Sequence, residues 1–100
     1  MKPGWNQVMD SGFDRSIYSE RPPGGTWRAR IEQSCWAKCP GIHLFLINLD
    51  SHERFWFFVP HSHELYPLFR DLPDGSTVEV TVHPAARGRL PRLLTAKPAG

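Results

Sequence analysis

The chain has 100 residues, twelve Lys and Arg against ten Asp and Glu for a formal net charge of +2, and 40% hydrophobic and 22% charged residues. That is enough for one hydrophobic core and too little for two, and the balance is globular rather than disordered. The longest unbroken apolar run, Phe55 to Val59, falls far short of the roughly 20 residues a membrane-spanning helix needs, and Cys35 and Cys39 are too few for a disulfide scaffold.

Met1 to Gln7 carries one Lys and no apolar stretch, so no secretory signal is read there, and a cytoplasmic protein with reduced thiols and no membrane contact is expected. Residues 1–25 hold Trp5, Phe13, Ile17 and Tyr18 without sustained periodicity and read as an irregular N-terminal arm that closes on Arg21-Pro22-Pro23-Gly24-Gly25. Its aromatics dock either on the domain's own surface or on a partner. Residues 26–100 form the domain proper.

Thr26 to Lys38 alternates, with Trp27, Ala29, Ile31, Gln33 and Cys35 on one face and Arg28, Arg30, Glu32, Ser34 and Trp36 on the other, which predicts a half-buried strand. After the turn Ala37-Lys38-Cys39-Pro40-Gly41, Ile42 to Leu49 predicts a second strand, apolar on both faces, one packed inward and the other covered by the arm or a helix. Arg54 to Val59 predicts a third, with Phe55, Phe57 and Val59 alternating against Trp56 and Phe58, ended by Pro60. Leu65, Leu68, Phe69 and Leu72 mark one face of a short helix, which Pro67 requires to start near Glu64. Leu72-Pro73-Asp74-Gly75 is a turn, Thr77 to His83 a clean fourth strand with Val78, Val80 and Val82 inward, and Arg92 to Ala96 a short fifth strand after the loop Pro84 to Pro91.

Three strands, a short helix and two more strands resemble the OB-fold, a small five-stranded barrel, over residues 26–97. The fold class expected is therefore mainly β, an OB-like barrel with its helix between strands three and four. An SH3-like barrel or a small sheet with one packed helix are the competing architectures. The resemblance implies an oligonucleotide face on strands two and three, flanked by the loop that holds Lys38 and the loop that holds Arg87 and Arg89.

Charge placement agrees in part with that implication. Beyond Glu79 come Arg87, Arg89, Arg92 and Lys97 with no acidic residue, and nine of the twelve basic side chains are Arg, which pairs bidentately with phosphate or carboxylate. Trp56, Phe58 and Trp36 read as stacking platforms, while Glu32, Glu53 and Glu79 interrupt any long phosphate track. Cys35, Cys39 and His43, with His61 and His63, have poor spacing for zinc, and His61-Ser62-His63-Glu64 is explained by helix capping, so no metal, cofactor or catalytic residue is assigned.

Two classes of function fit a chain without a catalytic signature. One is a module for single-stranded DNA or RNA that uses Lys38, Arg54, Trp56, Phe58, Arg87, Arg89 and Arg92. The alternative is a protein-interaction adaptor or inhibitor of a larger complex, which uses Trp5, Phe13, Tyr18 and Trp36 as anchors, with homodimerisation through an edge strand as its simplest form.

Overall fold

The computed structural model describes residues 14–37, 40–84, 86, 88–89 and 91–99. Behind a 3-10 turn at Arg15–Ile17 come strands β1 (Gly25–Ala37), β2 (Gly41–Asn48) and β3 (Arg54–Pro60), a short helix α1 (Tyr66–Asp71), then β4 (Thr77–His83) and β5 (Arg92–Pro98). The strands pair antiparallel in the order β3-β2-β1-β4-β5. Five strands with one helix between the third and fourth stand as the sequence predicts.

Alternation decides which side chains meet. Trp27, Ala29 and Ile31 of β1, Leu44 and Leu46 of β2, Phe55, Phe57 and Val59 of β3, Val78, Val80 and Val82 of β4, and Leu93 of β5 share one buried cluster. Because both outermost strands contribute to it, the sheet must coil around that cluster. Helix α1 inserts Phe69 into the same core, with Leu65, Tyr66 and Leu72 packed beside it. A buried side chain of this size contributes roughly 1.5–3 kcal/mol.

The sheet does not close into the expected barrel: among the described residues no ladder joins β3 to β5. Some of the edge groups have other partners. Ser19 of the arm donates its N–H to the Arg54 carbonyl and accepts from the Trp56 N–H, both at 3.0 Å, so it pairs with the outer edge of β3. On β5 the Leu93 carbonyl lies 3.2 Å from His63 Nε2. Since His63 Nδ1 accepts the Leu65 N–H at 3.0 Å, the proton sits on Nε2, which donates to Leu93. Pro60 and Pro91, next to these edges, have no N–H to offer.

Two elements depart from their predicted form. Helix α1 begins at Tyr66 rather than near Glu64, because turn bonds from His63 N–H to Pro60 and from Tyr66 N–H to His63 come first, and Pro67 then occupies the first turn. In β1 the register slips between Ile31, opposite Leu46, and Gln33, opposite Phe45, so Glu32 is a bulge residue. The bulge inverts the alternation beyond it. Gln33 and Cys35 therefore face away from the main core, while Trp36, opposite Ile42, turns to the other side.

The turns are held by local chemistry. Asn48 Oδ1 accepts the N–H groups of Asp50 and Ser51 at 2.8 and 3.2 Å, and His52 adopts a φ of 61° to complete the β2–β3 connection. Gly75, at φ 92°, turns the chain from α1 into β4, and its N–H donates to the Ile31 carbonyl at 2.6 Å. Asp74 beside it accepts from the Ser34 N–H and hydroxyl at 3.2 and 3.1 Å. This turn covers the edge of β1 that β4 is too short to reach.

Candidate functional site

On the outer face of β2 and β3, strand parity brings His43 and Phe45 beside Trp56 and Phe58. The bulge adds Cys35, which is buried here with Tyr18 and Phe45, and burial raises its thiol above the ordinary range. Tyr18 stands edge-on to Phe45 at 4.9 Å, and the Arg15 guanidinium lies 5.0 Å from the Trp56 ring and 5.9 Å from Phe45. The second apolar face of β2 is thus covered by the arm, one of the two covers expected for it. His43 lies 5.4 Å from Trp56 and 5.7 Å from Phe58. Burial, with the nearby Arg15 charge, holds its imidazole below the usual value.

A polar lock fixes the arm. The Tyr18 hydroxyl donates to Glu32 Oε1 at 2.6 Å, and Arg54 Nε donates to the same oxygen at 2.8 Å. Burial pushes the Glu32 carboxyl upward, but the hydrogen bonds from Tyr18 and Arg54, with the Arg54 charge, outweigh it and hold the group below its ordinary value. Burial and the Glu32 carboxylate both raise the Tyr18 phenol.

Of the residues proposed from sequence, Trp56, Phe58 and Arg92 line one groove at the open seam, and the other described ones are not among its lining. Arg54 is paired with Glu32, and Trp56 is partly covered by Arg15. Phe58 is 40% exposed, and Trp36, at 53%, is separated from it by the inverted parity of β1. Arg89 is exposed in the β4–β5 connection, where it bridges Ala86, and Arg92 is exposed at the start of β5. Tyr18 docks on the chain's own sheet. Lys38, Arg87, Trp5 and Phe13 lie outside the described residues, as does Cys39.

A concavity borders this face at the open seam. A groove of about 570 Å³ runs between Trp56, Phe57, Phe58 and Pro60 of β3 and the segment from Pro91 to Leu94, with Glu20, His63 and Glu64 completing its walls. Its rim carries exposed Phe58 and Leu94. Among the described residues, Glu20, Glu64 and Arg92 make no ion pair with one another or with a neighbour. Both imidazole nitrogens of His63 are engaged in the wall. Sequence reasoning missed the groove; its available signal was a proline at the end of one edge strand and another just before the other, each removing a donor from the seam.

The groove also exposes backbone. Arg54 and Trp56 direct their edge groups away from β2 toward Ser19, so by the two-residue alternation the N–H and C=O of Phe58 point the same way. Among the described residues nothing takes them. No protein-family model matches the chain, and no curated protein or solved structure does.

Proposed function

We propose that this chain is a non-catalytic binding module whose partner is a protein segment held in the seam groove between β3 and β5. The observation that carries this reading is the groove itself: apolar walls, an exposed Phe58 and Leu94 at the rim, and two carboxylates against one guanidinium. An apolar cleft with a few convergent polar groups suits a peptide. A polyanion would meet Glu20 and Glu64 there, and the Arg54 guanidinium is neutralised by Glu32.

A second reading, single-stranded DNA or RNA, is favoured by one specific observation. Phe58 is exposed on the face where the OB-fold resemblance locates nucleic acid, and Arg92 borders the same groove, with Arg89 exposed on the preceding connection.

Both readings are tested on the full chain. Peptides selected from a random display library should bind wild type and lose binding on Leu94→Arg, which puts charge on the apolar rim. Labelled single-stranded DNA and RNA oligomers should bind weakly at physiological salt. Oligomer affinity that falls steeply with salt and is weakened by Arg89→Ala with Arg92→Ala, together with an empty peptide selection, would replace the peptide reading by the nucleic-acid one.

A further inference from the structure

We infer that the partner enters the groove as an added β-strand, paired with the Phe58 N–H and C=O, and that it carries a Lys or Arg side chain toward Glu20 and Glu64. This rests on the peptide reading above and gives it a binding mode and a partner chemistry.

Three features of the β3 edge lead to the mode. The outer edge of β3 already accepts a strand: Ser19 pairs with it through two hydrogen bonds as a parallel bridge to Phe55. That pairing ends at the Trp56 N–H, because the Arg21 N–H turns back to the Ser19 hydroxyl at 3.0 Å and the arm leaves the edge. The next outward groups, the Trp56 carbonyl and the N–H and carbonyl of Phe58, then front the groove. From Trp56 to Pro60 the edge is about 13 Å long at the usual strand rise, room for a segment of about five residues. Edge amides and carbonyls supply affinity in strand addition, and pockets for alternate side chains supply specificity.

The partner's chemistry follows from the walls. An added strand sends every second side chain into the apolar floor, which calls for β-branched or aromatic residues at those positions. Glu20 and Glu64 leave the groove one negative charge in excess over Arg92, and none of the three is paired among the described residues. A cationic side chain on the added strand is favoured by that excess and an acidic one is opposed.

The test uses the full ¹⁵N-labelled chain and synthetic blocked heptapeptides that alternate valine and threonine. One carries a central lysine and its twin a central glutamate; two further versions of the lysine peptide are N-methylated on odd or on even amides. The lysine peptide should bind about fivefold more tightly than its glutamate twin, and Glu20→Gln with Glu64→Gln should erase that difference. It should slow hydrogen exchange at the Phe58 amide, and one N-methylated version should lose binding while the other keeps it. Equal loss with both methylation patterns, equal binding of the two charges, or an unprotected Phe58 amide would overturn the inference while leaving the peptide reading in place. If no selected or synthetic peptide shifts any groove residue, both fall. Protection of Phe58 that grows with protein concentration in the absence of peptide would make a second copy of the chain the occupant and overturn the inference.

Discussion

The Tyr18 hydroxyl donates to Glu32 Oε1 at 2.6 Å, so a residue of the arm is bonded to the bulge of β1. Arg54 of β3 donates to the same oxygen, and three segments far apart in sequence meet at one carboxylate. Without the bulge, Glu32 would not stand free of the ladder register to receive both.

Tyr18→Phe keeps the ring on Phe45 and deletes only this bond. A hydrogen bond to a charged acceptor contributes roughly 1.5 kcal/mol or more, so thermal unfolding should begin about 6–12 °C lower. The pH dependence carries the sign of a depressed carboxylate. Stability from the Glu32 network is fully present above its ordinary value of 4.5 and is lost as pH falls through the lower folded value. Wild type and Tyr18→Phe should therefore differ most near neutral pH and converge in acid, as measured by denaturation at a series of pH values. A gap independent of pH would show that the bond does not act through the ionised carboxylate.

His43 has the opposite chemistry with a related outcome. Burial is the larger cause of its depressed value and Arg15 the smaller, so the folded ring resists protonation. Above the ordinary value of 6.5 the ring is neutral in both states; below it the unfolded chain takes up a proton that the folded chain does not, and stability falls until the folded value is passed. His43→Gln should flatten the stability profile over that window. In Arg15→Ala the His43 midpoint, followed by its ring resonances, should move upward only part of the way to 6.5, because the burial remains. A full return would assign the whole effect to Arg15.

The period-two pattern of β4 and the apolar alternation of β3 made those strands legible, and the two-sided apolarity of β2 announced that Phe45 needed a cover, which Tyr18 supplies. The bulge was not legible. Trp27, Ala29, Ile31, Gln33 and Cys35 look like one face because an inserted Glu32 fits an outward slot equally well, and the polar Gln33 within an apolar series was the faint clue. That one residue is why Trp36 does not join Trp56 and Phe58. The groove was hidden for a different reason: it needs the coil of the whole sheet to bring Leu93 within reach of His63, thirty residues away.

Gly41 at the start of β2 pairs with Pro60 at the end of β3, and the Phe58 ring lies across it. A Cβ at this position would stand 2.6 Å from the Val59 carbonyl oxygen and 2.8 Å from two Phe58 ring carbons. The ring can move aside, but the backbone oxygen cannot move without shifting β3. Gly41→Ala should cost about 1–3 kcal/mol, read as a lower urea midpoint with an unchanged slope. The Phe58 ring resonances should shift with it. An unchanged midpoint would show that β3 yields freely at its end, and the edge proposed to receive a strand would then be a soft one.

His63 ties the turn before α1 to β5, with Nδ1 accepting from Leu65 and Nε2 donating to the Leu93 carbonyl. Among the described residues β3 and β5 share no ladder, and this imidazole is a polar strut across their seam. His63→Ala leaves the Leu65 N–H and the Leu93 carbonyl without that partner and should destabilise the fold by roughly 1–3 kcal/mol. The diagnostic readout is local: amides near Leu93 in β5 should exchange with solvent about tenfold faster than in wild type, while the amides of Val78 and Val80, in the central part of the sheet, should slow or quicken only in step with global stability. If exchange in β5 follows the global change alone, the seam is held by the burial of Leu93 in the core it shares with Phe57 and Val59, and the width of the groove is set by packing rather than by the imidazole.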